Sequence, residues 1–188
     1  DLLSTSGLRI VGVKKFKMTV AQAEEFYWPV REVLREKFKD IGASRAVAAL
    51  ARELGFEIPD SVEPGLCDLI APVFARSQFE SIVKFMTGYK PSECSEAEKG
   101  VLAREGCLAL VYEGVGAVQK IRSILGPTDP SKAKPGSVRR EFGSDVMMNA
   151  AHASDSPDNA EREMRIIKVE EDTLKPLVDK YYGDGGSS

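Results

Sequence analysis

The chain has 188 residues, 43% of them hydrophobic and 29% charged, and carries a formal net charge of −3. That length suits one domain with a real core, and the composition excludes wholesale disorder. The mildly acidic balance excludes long-range attraction to nucleic acid or to an anionic membrane, so any anion must be held by a local cluster of cations.

No apolar run approaches the ~20 residues needed to span a bilayer, and residues 1–7 lack the basic and apolar regions of a signal peptide. A cytoplasmic protein is expected. Cys67, Cys94 and Cys107 are odd in number, widely spaced and without a CxxC pair, and His152 is the only histidine. Free or buried thiols in a reducing compartment are therefore expected, rather than a disulfide or a metal site.

In chain order, residues 8–16 alternate around Val11 and Val13 and predict a strand, with Lys14, Lys15 and Lys17 as a solvated basic edge. Thr19 fits an N-cap for a helix from about Val20. From Trp28 to about Gly55 the spacing is helical, with Val30, Leu34 and Phe38 on one face, and Pro59 and Pro64-Gly65 punctuate the chain after it. Residues 66–86 again read as helix, through Leu69, Ile70, Val73 and Phe74 and then Phe79, Ile82, Val83 and Met86. Ser95-Glu96-Ala97-Glu98 has the capping-box pattern and predicts a short helix to about Glu105. Residues 107–112 suit a central strand, 116–125 a helix, and 126–142 a long loop. Ser156-Pro157-Asp158 starts a helix with Ser as cap and Pro at its first position. Residues 183–188 are a Gly/Ser-rich tail. Short strands separated by helices indicate an α/β or α+β sandwich.

Two stretches carry chemistry. The loop from Gly126 to Arg140 holds four cations and three hydroxyl residues, and its three prolines limit its freedom. Such pre-positioned donors suit phosphate, and the planar fork of Arg can engage two oxygens. A solvated loop with incidental charges is the alternative at this point. There is no GxxxxGK[ST] phosphate loop. His152 then lies in Asn-Ala-Ala-His-Ala-Ser-Asp-Ser, beside an amide, hydroxyls and a carboxylate. An imidazole can act as a nucleophile near neutral pH and carry a phosphoryl group.

The ordered set Gly126-Pro-Thr-Asp-Pro, Lys134-Pro-Gly-Ser-Val-Arg139, Asn149-Ala-Ala-His-Ala-Ser-Asp-Ser156 and Ala160-Glu-Arg-Glu163 resembles the nucleoside diphosphate kinase family. Residues 7–14 resemble that family's second strand, and the match covers roughly residues 1–27 and 76–170. The resemblance implies an α+β fold with a ferredoxin-like antiparallel sheet and flanking helices. It implies one such domain over residues 1–182, with helical insertions at about 28–75 and 89–105. It also implies transfer of the γ-phosphate of ATP or another nucleoside triphosphate to a nucleoside diphosphate through phospho-His152. Glu163 would orient the imidazole and Ser154 would stand beside it. Arg122, Thr128 and Arg139 would grip the phosphates, with Tyr27 near the γ-phosphate. Asn149 would meet the ribose and Val146 would wall the base. Mg²⁺ would arrive on the nucleotide, and a homo-oligomer is expected.

Three departures qualify the match. The family's initial strand, with its lysine in an Ile-Lys-Pro-Asp-type motif, precedes Asp1, so residues before Asp1 or a strand from another chain are expected. Gln78 stands where an aromatic would stack on the base, with Phe79 as the neighbouring substitute. Ala153 replaces the glycine after the histidine. A nucleotide-binding scaffold without turnover is the rival reading, and a histidine-phosphorylated signalling module is a second.

Overall fold

The computed structural model describes residues 3–101, 103 and 106–171. The chain forms two compact units, one of residues 1–18 with 105–188 and the other of residues 19–104.

In the first unit, β1 (Arg9–Phe16) and β2 (Cys107–Glu113) pair as an antiparallel ribbon, with an irregularity between Ile10 and Gly12. Among the described residues the sheet has two strands, antiparallel as the resemblance implied. Read from sequence as a central strand, β2 pairs with β1, and Leu108 and Leu110 on it are exposed. Lys14 departs from the solvated edge expected of it. It is buried, its ammonium donates to the Lys168 carbonyl and it lies 3.6 Å from a Glu171 carboxylate oxygen. Burial of a lysine head requires such partners, and they come from a segment more than 150 residues away in the chain.

Beyond the ribbon lie α5 (Ala117–Leu125), a 3₁₀ turn at Pro130–Lys132, α6 (Val138–Phe142) and α7 (Pro157–Ile166). The stretch read as one long loop, 126–142, is thus a short 3₁₀ turn followed by a short helix. Leu125, Ala133, Ile166 and Ile167 are buried apolar residues of this unit. The tail at 183–188 lies outside the described residues.

The second unit is helical. Thr19 caps α1 (Val20–Tyr27) with a reciprocal capping box: its hydroxyl accepts from the Gln22 amide, and the Gln22 side chain accepts from the Thr19 amide. Trp28 and Pro29 join it to α2 (Val30–Lys37), which passes through a five-residue π turn at Phe38–Gly42 into α3 (Ala43–Leu54). Gly42 is required there, since a Cβ on it would fall 2.3 Å from a Phe38 ring carbon. α4 (Glu63–Thr87) packs its Cys67 and Ala71 on Phe38 and Ala43. The helix read over 66–86 is α4, and Leu69 and Val73 on it are 75% and 67% exposed, because its buried face runs through Cys67, Ala71, Ala75, Phe79 and Val83.

Among the described residues of 95–105, where a helix was expected, the structure has a 3₁₀ turn at Glu98–Gly100. The glutamate half of the capping box forms nonetheless, with the Ser95 amide and hydroxyl both donating to Glu98 Oε2, while no side chain caps the backbone amides of the turn. A cap satisfies local donors but cannot propagate a helix without a face to bury. Of the two stretches read as helical insertions, 28–75 and all but the last residue of 89–105 belong to this second unit.

Candidate phosphotransfer site

The helix α7 builds the centre of the first unit. Ser156 ends the preceding extended segment, and its hydroxyl accepts the Asn159 amide at 3.1 Å. Pro157 lacks the N–H that would otherwise be unsatisfied in the first turn. With the helix started there, Glu163 falls on its buried face. The carboxylate Oε2 lies 3.0 Å from His152 Nε2 and accepts the Ser154 hydroxyl at 2.6 Å. Oε1 lies 3.7 Å from Arg162 Nη2. The carboxylate side chain is only 10% exposed, whereas the imidazole is 40% exposed. A buried anion thus fixes one edge of a ring whose remainder reaches solvent.

The segment that presents the ring is held from behind. Arg139 Nε and Nη2 donate to the Ala151 carbonyl, at 3.3 and 2.8 Å, and Nη1 donates to the Gly126 carbonyl at 2.7 Å. One guanidinium therefore ties the start of the proline-rich loop to the residue before His152. Burial, and after it the charge of Arg122, pull the Arg139 pKa below its ordinary value. The same Arg122 charge, behind the Asn159 hydrogen bond, helps to lower the Asp155 pKa. Arg122, Arg139 and the carboxylate of Asp155 thus share one electrostatic neighbourhood.

The loop is fixed by its own short-range bonds. Asp129 accepts the amide and hydroxyl of Ser131, the Ser137 hydroxyl donates to the Lys134 carbonyl at 2.6 Å, and the Gly136 amide donates to Glu141 at 2.8 Å. Thr128 is exposed within it. Gly143 sits where a Cβ would lie 2.6 Å from the Arg139 carbonyl oxygen and 2.7 Å from Pro130 Cγ. No other residue allows the loop and the Asn149 segment to approach so closely there. Asn149 donates from its side-chain amide to the Val146 carbonyl at 2.8 Å, and Val146 itself is exposed. Between Asn149 and His152 the chain turns tightly, with the Ala151 amide on the Asn149 carbonyl at 3.0 Å and Ala150 at φ 74°. Left-handed backbone is costly for a residue with a Cβ, and here it is imposed two residues before the histidine.

Of the sequence candidates, His152, Ser154 and Glu163 share direct hydrogen bonds, and Arg139 binds the carbonyl next to His152. Tyr27 and Phe79 belong to the second unit. Tyr27 is half-buried, with its ring edge-on to Phe26 at 5.0 Å. Phe79, the substitute offered for a base-stacking ring, is 4% exposed, because α4 turns it into the helical core. Two features escaped the sequence: the carbonyl clamp of Arg139, which needs a fold to bring 126 and 151 together, and the exposed Trp28 beside Phe79. An aromatic flanking Pro29 at a helix junction was the available signal for the second.

Cys67, Cys94 and Cys107 are free thiols, and burial raises the Cys107 pKa. Among the described residues, no three His, Cys, Asp or Glu side chains converge as a metal cage, and no helix is long and apolar enough to cross a membrane.

The family model for nucleoside diphosphate kinase matches residues 76–172. A nucleoside diphosphate kinase of Pyrobaculum aerophilum is 31% identical over 186 residues, covering 90% of this chain and 84% of that protein. One from Archaeoglobus fulgidus is 47% identical over 60 residues, which span 32% of this chain and 40% of that relative. The crystal structure of an NDP kinase from P. aerophilum superposes with a TM-score of 0.57 at 26% identity, over 87% of this chain and 81% of that one.

Proposed function

Because the chain belongs to the nucleoside diphosphate kinase family, a family of phosphotransferases, we propose that it moves the γ-phosphate of a nucleoside triphosphate to a nucleoside diphosphate through His152. The observation that carries this reading is the buried Glu163 carboxylate, 3.0 Å from Nε2 of a half-exposed imidazole. With Nε2–H directed at that carboxylate, Nδ1 is the nitrogen that attacks. A P–N bond forms at Nδ1 as the bond from the γ-phosphorus to the bridging oxygen breaks, and the nucleoside diphosphate leaves. In the second half, a terminal oxygen of the acceptor's β-phosphate attacks the same phosphorus and the P–N bond breaks. The Nε2 proton stays in place throughout, and Glu163 stabilises the positive charge that the ring acquires.

Arg122, Thr128 and Arg139 are the residues we assign to the phosphates, where positioned cations lower the barrier of a loose phosphoryl transition state. The two arginines sense each other's charge, which supports a shared anionic ligand. Asn149 is assigned to the ribose, Val146 to the base and Tyr27 to the neighbourhood of the γ-phosphate on the resemblance alone, while Phe79, buried in the helical core, is given no contact with the base. The substrate is the Mg²⁺ complex of the nucleotide, in which the metal offsets phosphate charge. Donors for that metal are phosphate oxygens, in keeping with the cationic, carboxylate-poor character of the loop. One domain over residues 1–182 with helical insertions at about 28–75 and 89–105, a cytoplasmic location and a homo-oligomeric state complete the proposal, resting on sequence pattern and resemblance.

The test is labelling with γ-³²P-ATP and Mg²⁺. The expected result is an acid-labile, base-stable label on the protein and none on the His152→Asn variant. Label that survives this substitution refutes the assigned nucleophile, and unlabelled protein that still binds nucleotide favours a scaffold.

A further inference from the structure

The Glu163 carboxylate is buried on α7, and its two oxygens meet different partners. Oε2 faces His152 Nε2 and the Ser154 hydroxyl, whereas Oε1 lies 3.7 Å from Arg162 Nη2. Rotation about the last torsion of a glutamate is soft, so the plane of the group is set by whatever meets its oxygens. A neutral imidazole and a hydroxyl bring no countercharge to a buried anion, and Arg162 does. The guanidinium is itself seated, with 27% of its side chain exposed. Its Nε donates to Asn159 Oδ1 at 3.1 Å, and Nδ2 of the same amide donates to Asp155 Oδ1 at 2.6 Å. Both ends of Asn159 are thus committed, the oxygen to the cation and the nitrogen to the anion. Three residues apart, Asn159 and Arg162 share a face of α7. An ordinary ion pair on a helix surface gains little, and fixing a long side chain costs rotamer freedom. Such ordering suits a guanidinium whose task is to hold a neighbouring group.

We propose that Arg162, seated by Asn159 and Asp155, is a positioning residue for the His152 site. It holds the Glu163 carboxylate, and through it the imidazole, in the orientation that phosphoryl transfer uses. Its effect on rate rests on the phosphotransfer reading, whereas its hold on the ring does not.

Rapid-quench labelling with γ-³²P-ATP and Mg²⁺ tests the effect on rate. Arg162→Met should form phosphoprotein about tenfold more slowly at saturating ATP, with the half-saturating ATP concentration unchanged. In a Glu163→Gln background no carboxylate charge is left to hold, and the same substitution should slow labelling by less than about twofold. A residue that merely supports the fold would cost the same in both backgrounds. Arg162→Lys, which keeps the charge, should recover most of the rate. His152 is the only histidine, so after ¹⁵N-histidine labelling its Nε2 proton can be followed by NMR without nucleotide. That proton should be visible in the parent and lost to solvent exchange in Arg162→Met. An Arg162→Met variant that labels as fast as the parent, an equal loss in both backgrounds, an Arg162→Lys variant as slow as Arg162→Met, or an Nε2 proton no better protected in the parent than in Arg162→Met would each overturn the positioning role. A protein that takes no label but loses its Nε2 proton on Arg162→Met removes the phosphotransfer reading and leaves the hold on the ring standing. A labelled protein indifferent to Arg162 does the reverse.

Discussion

At His152 and Ser154, two donors converge on one carboxylate oxygen, Glu163 Oε2. The arrangement combines position with charge, and substitution separates the two. Glu163→Gln keeps the shape but removes the negative charge that would stabilise the developing imidazolium. Its rate of phosphoprotein formation should fall by about 100-fold, with unchanged circular dichroism. Ser154→Ala leaves the imidazole its partner and should lower the rate by less than about tenfold. Rapid-quench measurement of label formation distinguishes them, and equal losses would mean that the hydroxyl, not the charge, governs the ring. This cluster was legible in the sequence because the motif preserves order and spacing from Asn149 to Glu163. The buried Lys14 was not legible. Its partners, the Lys168 carbonyl and Glu171, are distant in the chain, and alternation along a strand reports a face without reporting what covers it.

At the scale of elements, α7 sets the site by fixing where Glu163 falls, and its first turn is held by Ser156 and by Asp155. The Asn159 side-chain amide donates to Asp155 at 2.6 Å, the leading cause that holds this carboxyl below its ordinary pKa of 3.8. A carboxyl with a depressed folded pKa contributes stability above its unfolded pKa, and that contribution is lost as pH falls through the folded value. Asn159→Ala should therefore shift the acid-unfolding midpoint of the protein upward, while stability near pH 2 and below converges with the parent. Denaturant titrations from pH 7 to about pH 2 measure this, and a constant difference across that range would contradict it. The caps at Thr19 and Ser156 were readable because each uses partners within three residues. Helix length and facing were less so. The capping-box pattern at Ser95 precedes a single 3₁₀ turn, and the apolar pair Leu69 and Val73 lies outside the seam that α4 shares with Phe38 and Ala43.

At the scale of the molecule, a net charge of −3 is compatible with the proposed phosphate ligand because cations are concentrated locally in the loop from Gly126 to Arg140. The family resemblance read from the motifs agrees with a family match over residues 76–172 and with a relative aligned along 90% of the chain. The α+β character was readable from alternating strand and helix patterns. The division into two compact units was not, since it depends on which helices share a core. The central claim is that His152 carries the phosphoryl group between two nucleotides. Its most direct measurement isolates the ³²P-labelled protein free of ATP and adds GDP with Mg²⁺. The account predicts rapid loss of label from the protein and its appearance in GTP. Label that stays on the protein, or is released only as inorganic phosphate at the same rate with and without GDP, would contradict it.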